Sequence, residues 1–192
     1  MNDTVTNILL VGVGGQGILL ASEILSEAFM LAGFDVKKSE IHGMSQRGGS
    51  VVSHVRFGSQ VFSPVVPEGE GDILFGFELL ETYRSLPLLK PGAKVVANDY
   101  RIAPPSVLVG QAAYPRGLTD KIKQRCGDLL LVDGQGLACT AGDVRAANTV
   151  LLGAVSKRLA IEEQTWRQAL EKMVPGKALE INLKAFAMGR AL

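Results

Sequence analysis

Three glycines carry the first chemical signal in this sequence. Gly12, Gly14 and Gly17 spell GxGxxG, with Gly15 and Gln16 between them, in the run GVGGQG. In such a loop the first glycine makes a tight turn, the second lets backbone approach a diphosphate, and the third lets helix and strand pack closely. A helix starting there offers free N–H groups and the positive end of its dipole to an anion. The loop reads either as a seat for a phosphate-bearing ligand or as a device for close packing alone. A nicotinamide dinucleotide also needs an acidic residue about 20 positions further on to hold the ribose diol. Glu40 stands near that place, but it opens into the irregular stretch EIHGMSQRGGS, Glu40 to Ser50.

Groups for proton transfer or metal binding are scarce. The two histidines are His42, inside that irregular stretch with Gln46 and Arg47, and His54, in a strand-like run where it reads as structural. No Ser–His–Asp or metal-ligand pattern follows. Cys126 and Cys139 lie apart with no CxxC, whereas iron–sulfur clusters and structural zinc need about four ligands in close-spaced pairs. They read as two buried thiols in a reducing compartment.

The elements that must position these groups follow a strand–helix alternation. ILLV, Ile8 to Val11, is a short apolar run of the kind buried on both faces. Leu20, Ile24, Leu25, Ala28 and Leu31 recur at helical spacing after the glycine loop, and Gly33 is a natural stop. Phe34 to Ser39 reads as a second strand, giving the opening of a doubly wound sheet. Glu40 to Ser50 reads as an ordered loop. Val51 to Phe57 and Gln60 to Val66 read as a hairpin about Gly58-Ser59. Beyond it come a strand at Asp72 to Phe77, a helix from Glu78 to Leu89, a strand at Ala93 to Asn98, a helix at Gly117 to Cys126, and a strand at Leu129 to Asp133. The chain is then helical from Asn148, with further helices near 162–173 and 178–188.

These segments predict one α/β domain over residues 1–192: a Rossmann-like, mostly parallel sheet with a hairpin excursion and flanking helices. The 192 residues can bury a core without staples. Twenty Lys and Arg against nineteen Asp and Glu leave a formal charge of +1, so no general footprint for nucleic acid or anionic membrane exists. No apolar run approaches the ~18 residues of a membrane span, and the start MNDTVTN lacks a signal peptide's basic residues, so a cytoplasmic location is expected.

The loop GVGGQG, the stretch EIHGMSQRGGSV, the later run DILFGFELLETYRSLPLLKPGAKVV and the NTVLLGA helix together resemble one family. It is the gamma subunit, or gamma domain, of the 2-oxoacid:ferredoxin oxidoreductases. The likeness is greatest to the small (beta) subunit of the indolepyruvate enzymes. The resemblance implies a subunit that is inactive alone. It would complete the active site of a larger partner carrying thiamine diphosphate, magnesium and [4Fe–4S] clusters, with coenzyme A as acyl acceptor and ferredoxin as electron acceptor.

Residue by residue, Gly12, Gly14, Gly15, Gln16 and Gly17 match the loop that faces coenzyme A in relatives. His42, Ser45, Gln46, Arg47, Gly48 and Gly49 match a second loop toward substrate or partner. Arg47 offers either a cation for a carboxylate or a brace for loop carbonyls. Pyruvate-type relatives begin the helix after the first loop with an Asn-Lys pair suited to phosphate; Ser22-Glu23 stands there in this sequence, and a carboxylate does not replace a lysine against a diphosphate. The reading left beside this one is a stand-alone NAD(P)-dependent oxidoreductase with Glu40 on the ribose, or a subunit that only makes contacts.

Overall fold

The ILLV run becomes the middle of strand β1, Thr6–Val13, because each of its faces has its own core. Ile8 and Leu10 enter one apolar cluster, Leu9 and Val11 the other, and all four are fully buried. In the computed structural model, which describes residues 5–43 and 48–192, β1 leads through the glycine loop into helix α1, Ile18–Leu31. The stop at Gly33 forms as expected. Its φ is +86°, its N–H donates to the Met30 carbonyl at 3.0 Å, and the Phe34 N–H donates to the Phe29 carbonyl at 3.1 Å. Phe34 and Phe29 also meet edge to face, the apolar contact that commonly completes this helix ending.

The hairpin forms from other strands than the sequence suggests. Strand β2 runs over Asp35–His42, taking in Glu40 to His42, and β3 over Ser50–Gly58. β3 lies antiparallel to both β2 and β1 and sits between them. Gln60–Val66 is not a strand. Side chains of β3 and β2 occupy its backbone groups instead of a ladder. His54 Nδ1 accepts from Val66 N–H at 3.1 Å, Arg56 Nη1 donates to the Ser63 and Val65 carbonyls, and Asp35 accepts from Val61 N–H. Pro64 has no N–H to give a ladder in any case.

The rest alternates as expected, with adjusted bounds. β4 is Gly71–Gly76, α2 Leu79–Ser85, β5 Leu89–Asn98, α3 Pro105–Leu108, α4 Leu118–Arg125, β6 Asp128–Val132, α5 Gly134–Ala141, α6 Ala147–Ser156, α7 Glu163–Met173 and α8 Gly176–Arg190. Helix α2 ends four residues before the expected Leu89, in a single 3-10 turn over Leu86–Leu88 that contains Pro87. The sheet order is β2-β3-β1-β4-β5-β6, parallel except at β3. Helices α1, α5, α6, α7 and α8 pack on one face around Trp166, Phe29 and Phe186, while α2 and α4 cover the other. Among the described residues no helix is long and apolar enough to cross a membrane. Cys126 is buried, and burial pushes its thiol up; Cys139 is exposed on α5, contrary to the expectation of two buried thiols. The inward side of that helix is taken by Gly134, Ala138 and Ala141.

His54 is buried, as a structural histidine should be, and burial holds its imidazole below the usual value of 6.5. Its Nδ1 is an acceptor only while neutral. The unfolded chain therefore binds the proton more readily, and stability is expected to fall as pH drops below about 6.5. Thermal melts at pH 7.5 and 5.5 test this: the drop should shrink in His54→Gln, which cannot titrate there.

Candidate functional site

In an open α/β sheet the ligand crevice opens where neighbouring strands send their chains to opposite faces. Here that point lies between β1, whose chain crosses to α1, and β4, whose chain crosses to α2. The glycine loop stands directly over it. Gly12 is still in β1, opposite Val51 of β3, and a Cβ there would lie 2.7 Å from Gln16 Oε1 and 2.8 Å from Phe77 Cβ. Gly15 has φ +104° and faces open space, so its backbone is accessible to a ligand. Gly17 takes the left-handed conformation, φ +78°, as the N-cap of α1 with no side-chain cap, and Asn148 of α6 fills the space a Cβ would need.

Gln16 is a clamp. Its Oε1 accepts from Val13 N–H and its Nε2 donates to the Phe77 carbonyl, both at 2.8 Å. The same carbonyl accepts from Asn98 Nδ2 at 3.2 Å, and Asn98 Oδ1 accepts from Gly134 N–H at 3.0 Å. Two side-chain amides thus stitch the carboxyl ends of β1, β4, β5 and the start of α5 into one floor beneath the loop. Asn98 is fully buried and absent from the sequence expectations; the one available cue was a polar residue closing an apolar strand.

The second loop meets the first. Gly14 N–H donates to the Gly49 carbonyl at 2.9 Å, and Gly48 N–H donates to the Gly14 carbonyl at 3.4 Å. Ser50, just after them, donates to Glu81 of α2 at 2.6 Å, and Glu81 also pairs with Arg84. Ser45, Gln46 and Arg47 lie outside the described residues. His42 ends β2 on the surface, 3.5 Å from Glu40. On the other flank the fully buried Glu78 caps α2 and accepts from Ile102 N–H and from the Tyr114 hydroxyl at 2.5 Å. Burial and that carboxylate hold the Tyr114 phenol well above its usual range, so it stays a donor. The chain after β5 is thereby held against the crevice.

Glu40 is placed for other work than a ribose. β3 separates β2 from β1, which sets its backbone about 9.6 Å, two strand spacings, from the loop strand. Its carboxylate is engaged by Lys38 at 3.4 Å and by the Ser22 hydroxyl at 3.2 Å. Ser22 is fully buried against β2, and Glu23 pairs with Lys38, so the Ser22-Glu23 pair faces the flank of α1 rather than the loop. Among the described residues no group of three His, Cys, Asp or Glu converges as metal ligands, and the buried Cys126 and exposed Cys139 do not fit a cluster.

Comparison with known proteins agrees with this architecture. Residues 7–192 match the family described as pyruvate ferredoxin/flavodoxin oxidoreductase. Indolepyruvate oxidoreductase subunit IorB of Thermococcus kodakarensis is 39% identical over 190 residues, covering 95% of this chain and 93% of that protein. The pyruvate/ketoisovalerate oxidoreductases common subunit gamma of the same organism is 28% identical over 182 residues, covering 91% and 89%. Among solved structures, the gamma subunit of keto/oxoacid ferredoxin oxidoreductase from Geobacter sulfurreducens superposes with a TM-score of 0.71 at 25% identity, covering 96% of this chain and 95% of that one.

Proposed function

The chain belongs to the pyruvate ferredoxin/flavodoxin oxidoreductase family, and from that premise we propose that it is the gamma-type subunit of a cytoplasmic 2-oxoacid:ferredoxin oxidoreductase acting on indolepyruvate or another aryl pyruvate. In that reaction the bond between the carboxylate carbon and the carbonyl carbon breaks and carbon dioxide leaves. The acyl group forms a thioester with coenzyme A, whose thiol proton is released, and two electrons pass singly to two ferredoxins. Thiamine diphosphate, magnesium and the iron–sulfur clusters that carry out this chemistry belong to a larger partner subunit. This chain supplies a rigid loop face that closes the partner's site on the coenzyme A side.

The observation that carries this reading is the pairing of the two glycine loops over the β1–β4 crevice, Gly14 bonded to both Gly48 and Gly49. The loop Gly12, Gly14, Gly15, Gln16 and Gly17 presents backbone to coenzyme A. His42, Ser45, Gln46, Arg47, Gly48 and Gly49 present the second loop to substrate or partner. Leu19, Ile41, Leu108 and Val109 are exposed at this same end of the sheet, where a partner surface would cover them.

Co-expression with a larger subunit bearing thiamine and cluster motifs tests the proposal. The pair should co-purify and reduce ferredoxin with an aryl pyruvate and coenzyme A, while this chain alone should be colourless, free of iron and inactive. Stoichiometric iron in the isolated chain, or a clear rise in its melting temperature with NAD, would overturn it.

A further inference from the structure

The opposite end of the sheet holds a cavity of about 760 Å³. It lies among the starts of β1, β4 and β5, the end of β3, and the turns after α1 and α6. The eight residues of β1 separate it from the glycine loop by about 23 Å at ~3.3 Å per residue. Its volume is in the range of small-molecule sites, about 300–1,000 Å³.

Its walls and its charges point to one ligand chemistry. Phe34, Phe57, Ile73 and Ile161 line it with apolar surface. Phe34 and Phe57 meet edge to face at 5.2 Å, and Phe57 stacks on Phe29, so this wall is held in place rather than collapsible. Three cations stand around it: Lys90, Lys94 and Arg158. Two carboxylates answer them. Asp72 pairs with Lys90 and also accepts from Asn7 N–H, and Asp128 takes Arg158 Nη1 on both oxygens at 2.6 Å. Lys94 has no ion pair or hydrogen bond from its side chain among the described residues. It lies two residues before Val96 on the same strand face, which belongs to the core that Ile73 and Phe57 share. The cavity therefore combines an aromatic wall with one ammonium that makes no ion pair among the described residues. Asp72 is engaged by Lys90, and Asp128, opposite Lys94 on β6, is engaged by Arg158.

We infer that this cavity is a second small-molecule site, remote from the glycine loops, that takes an aryl carboxylate. The ring lies against Phe34, Phe57 and Ile161, and the carboxylate meets Lys94. A neutral aromatic would leave the ammonium without its partner, and a dianion would bring a second negative charge beside Asp72.

The test uses 1-naphthaleneacetate and its uncharged amide as probes, titrated into the full chain and into the assembled complex, with binding located by backbone amide NMR shifts in the full chain. The acid is expected to saturate and to shift resonances around Phe34, Phe57 and Ile161, with the amide at least about tenfold weaker. Lys94→Glu, an exposed substitution, should weaken the acid at least about tenfold. Ala160→Trp, at the exposed mouth, should abolish binding of both probes. No saturation by millimolar acid, equal affinity for acid and amide, an unaffected Lys94→Glu, or shifts confined to residues 12–17 would each overturn the inference. So would loss of binding on assembly, which would make the cavity a subunit contact. Apart from shifts confined to residues 12–17, none of these outcomes bears on the role of the glycine loops.

Discussion

Alanine at Gly189 is expected to destabilise the chain by about 3 kcal/mol, lowering the melting temperature by about 6–12 °C for a chain of this size. Gly153 of α6 and Gly189 of α8 face each other where the two helices cross. A Cβ on Gly189 would overlap the Val150 carbonyl and approach Ala154 N at 3.2 Å; one on Gly153 would overlap the Phe186 carbonyl and come within 2.9 Å of Arg190 N. The obstacles are backbone, so no rotamer change relieves them, and the helices would have to move apart. Doing so would open the core around Phe186, Leu151 and Val155. Intrinsic helix propensity works the other way, since alanine in a helix is favoured over glycine by about 1 kcal/mol. Gly127→Ala is the matched control: nothing lies within 4 Å of its Cβ, and a surface change of that kind should stay within about 0.5 kcal/mol. Circular dichroism melts of both variants decide. A Gly189→Ala chain that melts with its parent would mean that the crossing tolerates a methyl group. The effect should also reach the loops, because α6 carries Asn148, which fills the space beside Gly17.

What the sequence made legible was local. ILLV, the apolar spacing of α1 with its Gly33 stop, and LLLVD each announce themselves within a few residues, and each stands within two residues of where it was expected. Gly58-Ser59 carries a strong two-residue turn signal that draws the expected hairpin to itself, while the actual connection lies between β2 and β3, in a stretch whose glycines and polar residues show no strand period. Nothing local distinguishes Glu40 to His42 as strand; pairing with β3 makes them so. The candidate site divides in the same way. GxGxxG and the second glycine pair were readable, and the structure brings them into hydrogen-bond contact. The shared carbonyl of Phe77, reached by Gln16 from 61 positions away and Asn98 from 21, was not readable, because only the sheet order makes those residues neighbours. The α6–α8 crossing was hidden for a related reason: a helical glycine does not reveal in sequence whether a neighbour's backbone lies against it.

Gln16→Ala should separate a positioning role from a merely structural one. The side chain ties the glycine loop to the end of β4, with one bond to Val13 N–H and one to the Phe77 carbonyl. Removing it leaves the Phe77 carbonyl its longer bond to Asn98 and deprives Val13 N–H of its acceptor. The expected stability loss is about 1–3 kcal/mol, the range for stranding a buried polar group. If the loop presents backbone to coenzyme A, its displacement by even 1 Å should lower kcat/KM for coenzyme A by up to about 100-fold in the reconstituted complex. Gln16→Glu should be no better, because it keeps an acceptor for Val13 but sets a carboxylate oxygen against the Phe77 carbonyl, beside the loop proposed to face coenzyme A. Glu23→Ala serves as the reference, since Glu23 points to Lys38 on the flank of α1 and should leave coenzyme A kinetics unchanged. A Gln16→Ala complex that melts lower yet keeps its parent's coenzyme A dependence would make the clamp structural and move the coenzyme A face elsewhere.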